Sequence, residues 1–290
     1  MEGKIKIDTV YLNTLLEENS PCIFGSWVER VSEIRLQFLS AKPFESVVID
    51  NFLNDDYAEQ LYQSFPTHDE NWYVYENPIE VKYAFDDINK LATPLKNFFY
   101  HLSSPSTISL FSFISGIQDL EYDEYLHGAG LHSHPRHGRL QIHLDYEKHP
   151  FSGKERRLNI IFFLTKEWKE DWKGHNELWD SKLKSSVRKT TVRFNRAIIF
   201  KTNDISFHGV PEKIQCPQNV FRNSLAYYYV SPLKDNEKKN YRKKAAFFPS
   251  LSEGHEVHPN MKQLCQIRNE RLITNKDMEE LFPNWKKEED

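Results

Sequence analysis

His143 and Asp145 stand two residues apart in Leu-Gln-Ile-His-Leu-Asp-Tyr, a stretch with the texture of a β-strand. Residues i and i+2 of a strand project from the same face, so one imidazole and one carboxylate are presented side by side. A third donor, His208, lies in Phe-His-Gly-Val-Pro at the end of a distant strand-like run. Two histidines and one carboxylate on one side of a metal suit a non-haem ferrous ion, with three positions left for exogenous ligands. Arg222 follows 14 residues after His208 and opens a run of tyrosines. Arg222, Ser224, Ala226 and Tyr228 share one face of that strand. A guanidinium there can grip a carboxylate with two parallel hydrogen bonds. An iron site with open positions and an arginine aimed at an acid are what a 2-oxo acid requires.

The rest of the chain must position these groups. Its 290 residues suit one large domain with extensions, and 20 Phe and 14 Tyr provide bulky core material. The net charge of −4 carries no nucleic-acid footprint. No apolar run approaches the ~20 residues of a membrane span. The N-terminus lacks an apolar h-region, so no secretory signal is expected, and the three dispersed cysteines, Cys22, Cys216 and Cys265, fit a reducing compartment. A cytoplasmic location is expected.

Val10–Glu17 and Trp27–Leu39 are amphipathic and predict helices. Val47–Phe52 predicts a strand, and Asn54 an N-cap for a helix ending before Pro66. A second helix is expected over Ile88–Leu102, with Pro94 interrupting it or in a first turn. From Leu110 short apolar runs alternate with turns: Leu110–Ile114, Leu140–Leu144, Leu158–Leu164, Glu177–Trp179, Thr191–Phe200 and Leu225–Val230. That rhythm predicts a β-sandwich or barrel, with the preceding helices on one sheet. Leu158–Phe163 and Ala197–Phe200 read as strands covered on both faces. A basic run follows Pro232 and reads as a solvated segment. Met261–Trp285 predicts a helical tail.

Taken in order, these pieces resemble the 2-oxoglutarate- and Fe(II)-dependent dioxygenase superfamily, in its prolyl-4-hydroxylase-like branch. The resemblance runs from about Phe44 to Pro232. It rests on the His143-Leu-Asp145 strand, Arg156-Arg157-Leu-Asn159-Ile-Ile-Phe-Phe163, Glu177-Leu-Trp-Asp180, Arg193–Phe200, Phe-His208-Gly-Val-Pro and Arg222-Asn-Ser-Leu-Ala-Tyr-Tyr-Tyr229. It implies a mainly β fold with flanking helices, a double-stranded β-helix (jelly roll) core at 44–232. Helical extensions would occupy 1–43 and, partly helical and charged, 233–290. It implies Fe(II) on His143, Asp145 and His208, with 2-oxoglutarate and O2 as co-substrates. Arg222 would take the distal carboxylate of 2-oxoglutarate, with Asn159 and Phe163 lining its pocket. No catalytic residue beyond the metal centre is expected.

Two features depart from the pattern. One glycine, Gly174, stands before Glu-Leu-Trp-Asp where relatives often carry two, and the His208–Arg222 interval is longer than usual. Ile214–Val220 reads as a loop absorbing the excess. Upstream, His127, His132, His134 and His137 form a histidine-rich segment with Arg136 and Arg139. His132, His134, Arg139 and Tyr146 are expected to border the substrate; the alternative is a loop with solvated basic groups. Arg156 and Arg157 read as solvent-facing. The implied activity is hydroxylation of an unactivated C–H bond, with 2-oxoglutarate converted to succinate and CO2. The substrate would be a small polar metabolite, a sugar or glycan, or a prolyl or other peptidyl residue, without nucleic acid or a membrane span. The competing readings are a non-catalytic jelly-roll binding module and a cupin-like metalloenzyme that does not use 2-oxoglutarate.

Overall fold

In the computed structural model the described residues are 23–233, 241–249 and 258–285. Val10–Glu17 and Cys22 lie outside them. Among the described residues thirteen strands form one continuous antiparallel sheet that curls into a nearly closed jelly roll, and six α-helices flank it. The strands are β1 (Ser46–Asp50), β2 (Tyr73–Glu76), β3 (Glu80–Phe85), β4 (Glu121–Tyr122), β5 (Gly130–His134), β6 (Arg139–Leu144), β7 (Glu155–Phe163), β8 (Asn176–Trp179), β9 (Ser186–Thr190), β10 (Arg196–Lys201), β11 (His208–Val210), β12 (Arg222–Ser231) and β13 (Ala246–Phe247). The main path runs β1-β10-β7-β12-β5-β3-β6-β11-β8-β9. The wall β1-β10-β7-β12-β5 therefore faces β6-β11-β8-β9, with β3 joining them.

The helices are α1 (Val31–Ser40), α2 (Asp55–Gln63), α3 (Thr93–Leu102), α4 (Pro105–Ser115), α5 (Met261–Glu270) and α6 (Asn275–Leu281). Residues of the first four pack on the outer face of the β1-β10-β7-β12 wall, where Phe38, Leu61, Phe98 and Phe111 meet Phe162, Ile199 and Tyr229. This is why β7 and β10 are apolar on both faces: one face meets helices, the other the interior. Asn54 caps α2 by accepting from the Tyr57 amide at 2.9 Å, and Pro94 sits in the first turn of α3. Asn195 turns the chain into β10 at a φ of 60°. Its side chain accepts from the Leu53 amide and donates to the Leu53 carbonyl, both at 2.9 Å. Asn tolerates the left-handed region, and here its amide ties that turn to the end of β1.

Some expectations fail locally. Leu110–Ile114 is helical, not β-rich. Ser104 caps α4, Pro105 takes its first position and Gly116 closes it with a φ of 73°, a stop signal that outweighs a short apolar run. Residues 191–195 lie outside any strand, and β10 begins at Arg196. The tail is two helices broken at 271–274, the second opened by a capping box between Thr274 and Asp277. β13 lies in the C-terminal region yet pairs with β6, setting Phe247 opposite His143. Phe247 also joins the apolar cluster of Ile79, Leu264, Phe282 and Trp285.

Candidate metal centre and its cleft

His208 and His143 are direct partners across β11 and β6. His143 Nε2 lies 3.7 Å from Asp145 Oδ1, and His208 Nε2 lies 3.7 Å from Asp145 Oδ2. All three side chains are buried, and one ligand atom from each falls within 4.8 Å of the others. Each imidazole is oriented from behind: His143 Nδ1 meets the Gln141 carbonyl and His208 Nδ1 the Ser206 carbonyl, both at 2.9 Å. A carbonyl only accepts, so both Nδ1 atoms carry the proton and both Nε2 lone pairs point at the centre. That second layer of hydrogen bonds is what metal-binding histidines require.

The electrostatics agree. Burial, with the neighbouring His208, pushes His143 down to about 3, so its ring is neutral. Burial alone would raise Asp145, but its interactions with His208, Arg156 and His143, and the Asn159 hydrogen bond, outweigh it and hold the carboxyl below its ordinary range. Two imidazoles that turn Nε2 toward one carboxylate form a donor set that a divalent cation can bind. The residues present therefore fit Fe(II).

A close approach makes this pairing possible. From His208 to Val210 β11 advances two residues while β6, from His143 to Leu140, uses three. β6 carries one residue extra, a β-bulge. A side chain at Gly209 would lie 2.7 Å from the Leu140 carbonyl oxygen and 2.9 Å from that of Gln141. The glycine in Phe-His-Gly-Val thus lets the bulged strand come near.

The same bulge decides the fate of Arg139. Strict alternation from His143 would turn Arg139 into the interior. The extra residue brings Leu140 to the cleft instead, and the Arg139 guanidinium lies 5.8 Å from the Trp285 ring. Arg139 does not border the cleft.

The cleft has a volume of about 750 Å³. Along its walls are all three metal-site residues, Arg222, Asn159, His132, His134 and Tyr146. Arg222 is buried, and its Nε donates to the Gly174 carbonyl at 2.7 Å. Gly174 has a φ of 76°, and a side chain there would crowd Arg222, Ile214 and Trp168, each at 3.2 Å. This single glycine makes the turn that braces Arg222. Phe163 does not border the cleft; its ring lies 4.9 Å below the Arg222 guanidinium. Among the described residues no carboxylate neutralises Arg222, and burial pulls its pKa down to about 9. A guanidinium that is buried, braced and without an acid fits the distal carboxylate of 2-oxoglutarate. His132 and His134 are driven well below their ordinary pKa, chiefly by burial, and are neutral.

Arg156 corrects the solvent-facing expectation. It is 2% exposed, lies between the rings of Tyr146 and Tyr228 at 3.6 and 3.3 Å, and approaches Asp145 to 3.8 Å. Between the Leu158–Tyr229 and Arg156–Val230 pairs β7 carries an extra residue. Alternation counted inward from Asn159 selects Arg157; the bulge substitutes Arg156. Asp145 receives two further contacts, Asn159 Nδ2 on Oδ2 and the Tyr228 hydroxyl on Oδ1, each at 3.3 Å. Tyr228 was legible as a face-mate of Arg222; its partner was not.

A second clamp comes from the C-terminal region. Arg242 donates from Nε to the Asp145 carbonyl at 2.8 Å and from its amide to Glu147 at 2.7 Å. Its Nη1 lies 3.2 Å from Asp204, in the turn leading to His208. One side chain thus joins the segments that carry two metal-site residues. Arg242→Met is expected to weaken Mn(II) binding, read by electron paramagnetic resonance, by about 10-fold, the low end for loss of a group that orients metal ligands. Unchanged binding would show that the clamp is only structural.

A jelly roll whose interior presents two histidines and an aspartate to one point, beside a buried arginine, offers a donor set that fits a non-haem ferrous ion and a cation that fits an acid beside it. Residues 129–230 match the family described as the 2OG-Fe(II) oxygenase superfamily. No curated protein matches the chain significantly. Among solved structures, a Trichoplax adhaerens prolyl hydroxylase in complex with a hypoxia-inducible factor oxygen degradation domain peptide is 16% identical. That match covers 71% of this chain and 94% of the other, with a TM-score of 0.48. A Pseudomonas putida prolyl-4-hydroxylase is 12% identical, covering 70% and 100%, with a TM-score of 0.47. A Phytophthora capsici prolyl 4-hydroxylase is 20% identical, covering 73% and 67%, with a TM-score of 0.48. Among the described residues no helix is long and apolar enough to cross a membrane.

Proposed function

We propose that this protein hydroxylates an unactivated C–H bond of a small polar substrate. The balance is substrate plus 2-oxoglutarate plus O2, giving hydroxylated substrate, succinate and CO2. The observation that carries this reading is the convergence of His143, Asp145 and His208 in a cleft shared with the acid-free Arg222. Bound Fe(II) supplies the oxidising chemistry with O2 and 2-oxoglutarate.

The protein's work is binding and orientation. His143, Asp145 and His208 hold the metal, and Arg222 takes the distal carboxylate of 2-oxoglutarate. Asn159, Tyr228 and Arg156 contact the Asp145 carboxylate and would fix its orientation beside the two histidines for metal binding. Ile161 and Ala226 give the same wall an apolar surface, which limits water around the reacting groups. Tyr146, whose hydroxyl donates to the His127 carbonyl at 2.6 Å, closes the side beyond Arg156. We place the catalytic domain at 44–232 and the reaction in the cytoplasm, where a reducing environment favours ferrous iron.

The test is anaerobic addition of Fe(II) and 2-oxoglutarate, expected to produce a weak visible charge-transfer band. Succinate release in air follows, against a panel of sugars, amino acids and prolyl peptides, with stimulation expected from polar metabolites. Absence of both band and succinate would leave a binding module or a cupin-like metal protein as the better reading.

A further inference from the structure

The charge of the cleft narrows the substrate class, on the reading that this site is a 2-oxoglutarate-dependent hydroxylase. Seven lining residues are Lys or Arg, against three carboxylates, Glu80, Asp86 and Asp145. A ferrous ion and the 2-oxoglutarate dianion cancel, so loading the site does not remove the excess. Several of the cations are matched within the protein. Arg156 faces Asp145, Arg268 Nε lies 2.8 Å from Glu80, and Arg271 holds both oxygens of Asp277. Arg222 is assigned to the co-substrate.

Lys82 is different. It lies on the inner face of β3 with Glu80, Ala84 and Asp86, and all four border the cleft. Its ammonium is 5.3 Å from the Tyr75 ring, and no carboxylate among the described residues pairs with it. Burial lowers its pKa, and of the two acids whose charges oppose this, Glu80 and Asp145, the first is committed to Arg268 and the second faces Arg156 and the two histidines. The register shows where Lys82 stands. Tyr83 pairs with Ser133 and Arg222 with His134, on opposite edges of β5. Lys82, next to Tyr83, therefore comes alongside His134, two strand spacings or about 10 Å from Arg222. Further along that same edge β3 meets β6, the strand of His143, while β2 pairs with its other edge. Lys243 and Lys244, both exposed, carry the positive field to the rim, where it draws anions in.

We infer that Lys82 is a substrate-binding residue that receives an anionic group, a carboxylate or a phosphate ester, of the primary substrate. The half-exposed Lys82 ammonium has no ion-pair partner among the described residues, and an arriving anion supplies one with a charge-assisted hydrogen bond. Arg222 and Lys82 then divide the work. The fork on β12 takes the co-substrate, and the point charge on β3 takes the substrate beside the metal strand.

The test uses the full chain loaded with Mn(II) and 2-oxoglutarate, which needs no turnover. It is titrated calorimetrically with glucose 6-phosphate, glucuronate and glucose, three probes of similar size with a phosphate, a carboxylate and no charge. The two anions are expected to bind at least about tenfold tighter than glucose, and whichever is tighter gives the anion type. Lys82→Met should erase that preference while leaving 2-oxoglutarate binding within about twofold. Equal binding of all three probes, or a preference that survives Lys82→Met, overturns the inference. So does a loss of 2-oxoglutarate affinity in Lys82→Met equal to that in Arg222→Ala, which would make Lys82 a co-substrate group. Succinate formation is scored separately. An anion preference without succinate would refute the hydroxylase reading and leave the anion site standing.

Discussion

Asp145→Ala is expected to abolish the visible band of the anaerobic Fe(II)–2-oxoglutarate complex and to stop succinate release. Asp145 is the one carboxylate in the triad and faces the Nε2 atoms of both histidines at 3.7 Å. Groups that merely orient metal ligands cost about 10–100-fold in affinity when lost, so removing a ligand itself should exceed that range. The substitution also leaves Arg156, 2% exposed, without the carboxylate it faces. Breaking a buried pair from one side costs roughly 3 kcal/mol, reduced here because Arg156 keeps its contacts with Tyr146 and Tyr228. The metal-free variant should therefore melt below wild type, and Asp145→Asn separates the effects. It keeps an acceptor for Tyr228 but loses the charge, so metal binding should fall with a smaller change in melting. A variant at Asp145 that still shows the band would sink the assignment of this residue as a ligand.

Arg222→Ala should raise the 2-oxoglutarate concentration needed for half-maximal succinate formation by about 100-fold, the loss expected for a two-pronged contact worth about 2.5 kcal/mol. The Fe(II) requirement should change far less, because Arg222 lies on β12, away from the metal-bearing strands β6 and β11. Arg222→Lys should recover part of the affinity, since an ammonium keeps the charge but not the fork. Arg222→Met carries an opposite sign in a second measurement. Burial pulls the guanidinium down to about 9, and a buried cation without an acid destabilises the protein that holds it. The ligand-free methionine variant should melt higher than wild type while binding 2-oxoglutarate more weakly. A variant that melts lower and binds normally would mean Arg222 serves packing against Phe163 and Gly174 instead.

The interval between His208 and Arg222 illustrates what the chain order reveals. Its length left open whether Arg222 could return to the site. Cross-links from the loop answer this: the Ile214 amide donates to the Gly138 carbonyl at 3.1 Å, and the His137 amide to the Ile214 carbonyl at 2.8 Å. The loop folds back against the turn between β5 and β6, so its extra length leaves the start of β12 next to β5. Lys82 and Arg242 carried no signal at all. Lys82 lies on a strand that the alternation Glu80, Lys82, Ala84, Asp86 does not advertise, because its inner face is polar. Arg242 sits in a basic run that reads as solvated until β13 draws it against β6.

From the order of residues alone came the helix at Trp27–Leu39, the helix capped by Asn54, most of the one over Ile88–Leu102, six of the strands (β1, β6, β7, β8, β10 and β12), the two-residue spacing of His143 and Asp145, and the Arg222–Tyr228 face. These follow from local rules: side chains alternate along a strand, and Ser, Asn, Pro and Gly mark helix ends. Only the folded chain decided that Arg156 turns inward and Arg139 outward, since each outcome depends on one extra residue in a strand, and a shift of one residue exchanges the faces. Only the folded chain brought β3 and the C-terminal strand to the same cleft, because those contacts join segments far apart along the polymer and depend on which strand edges remain to be paired.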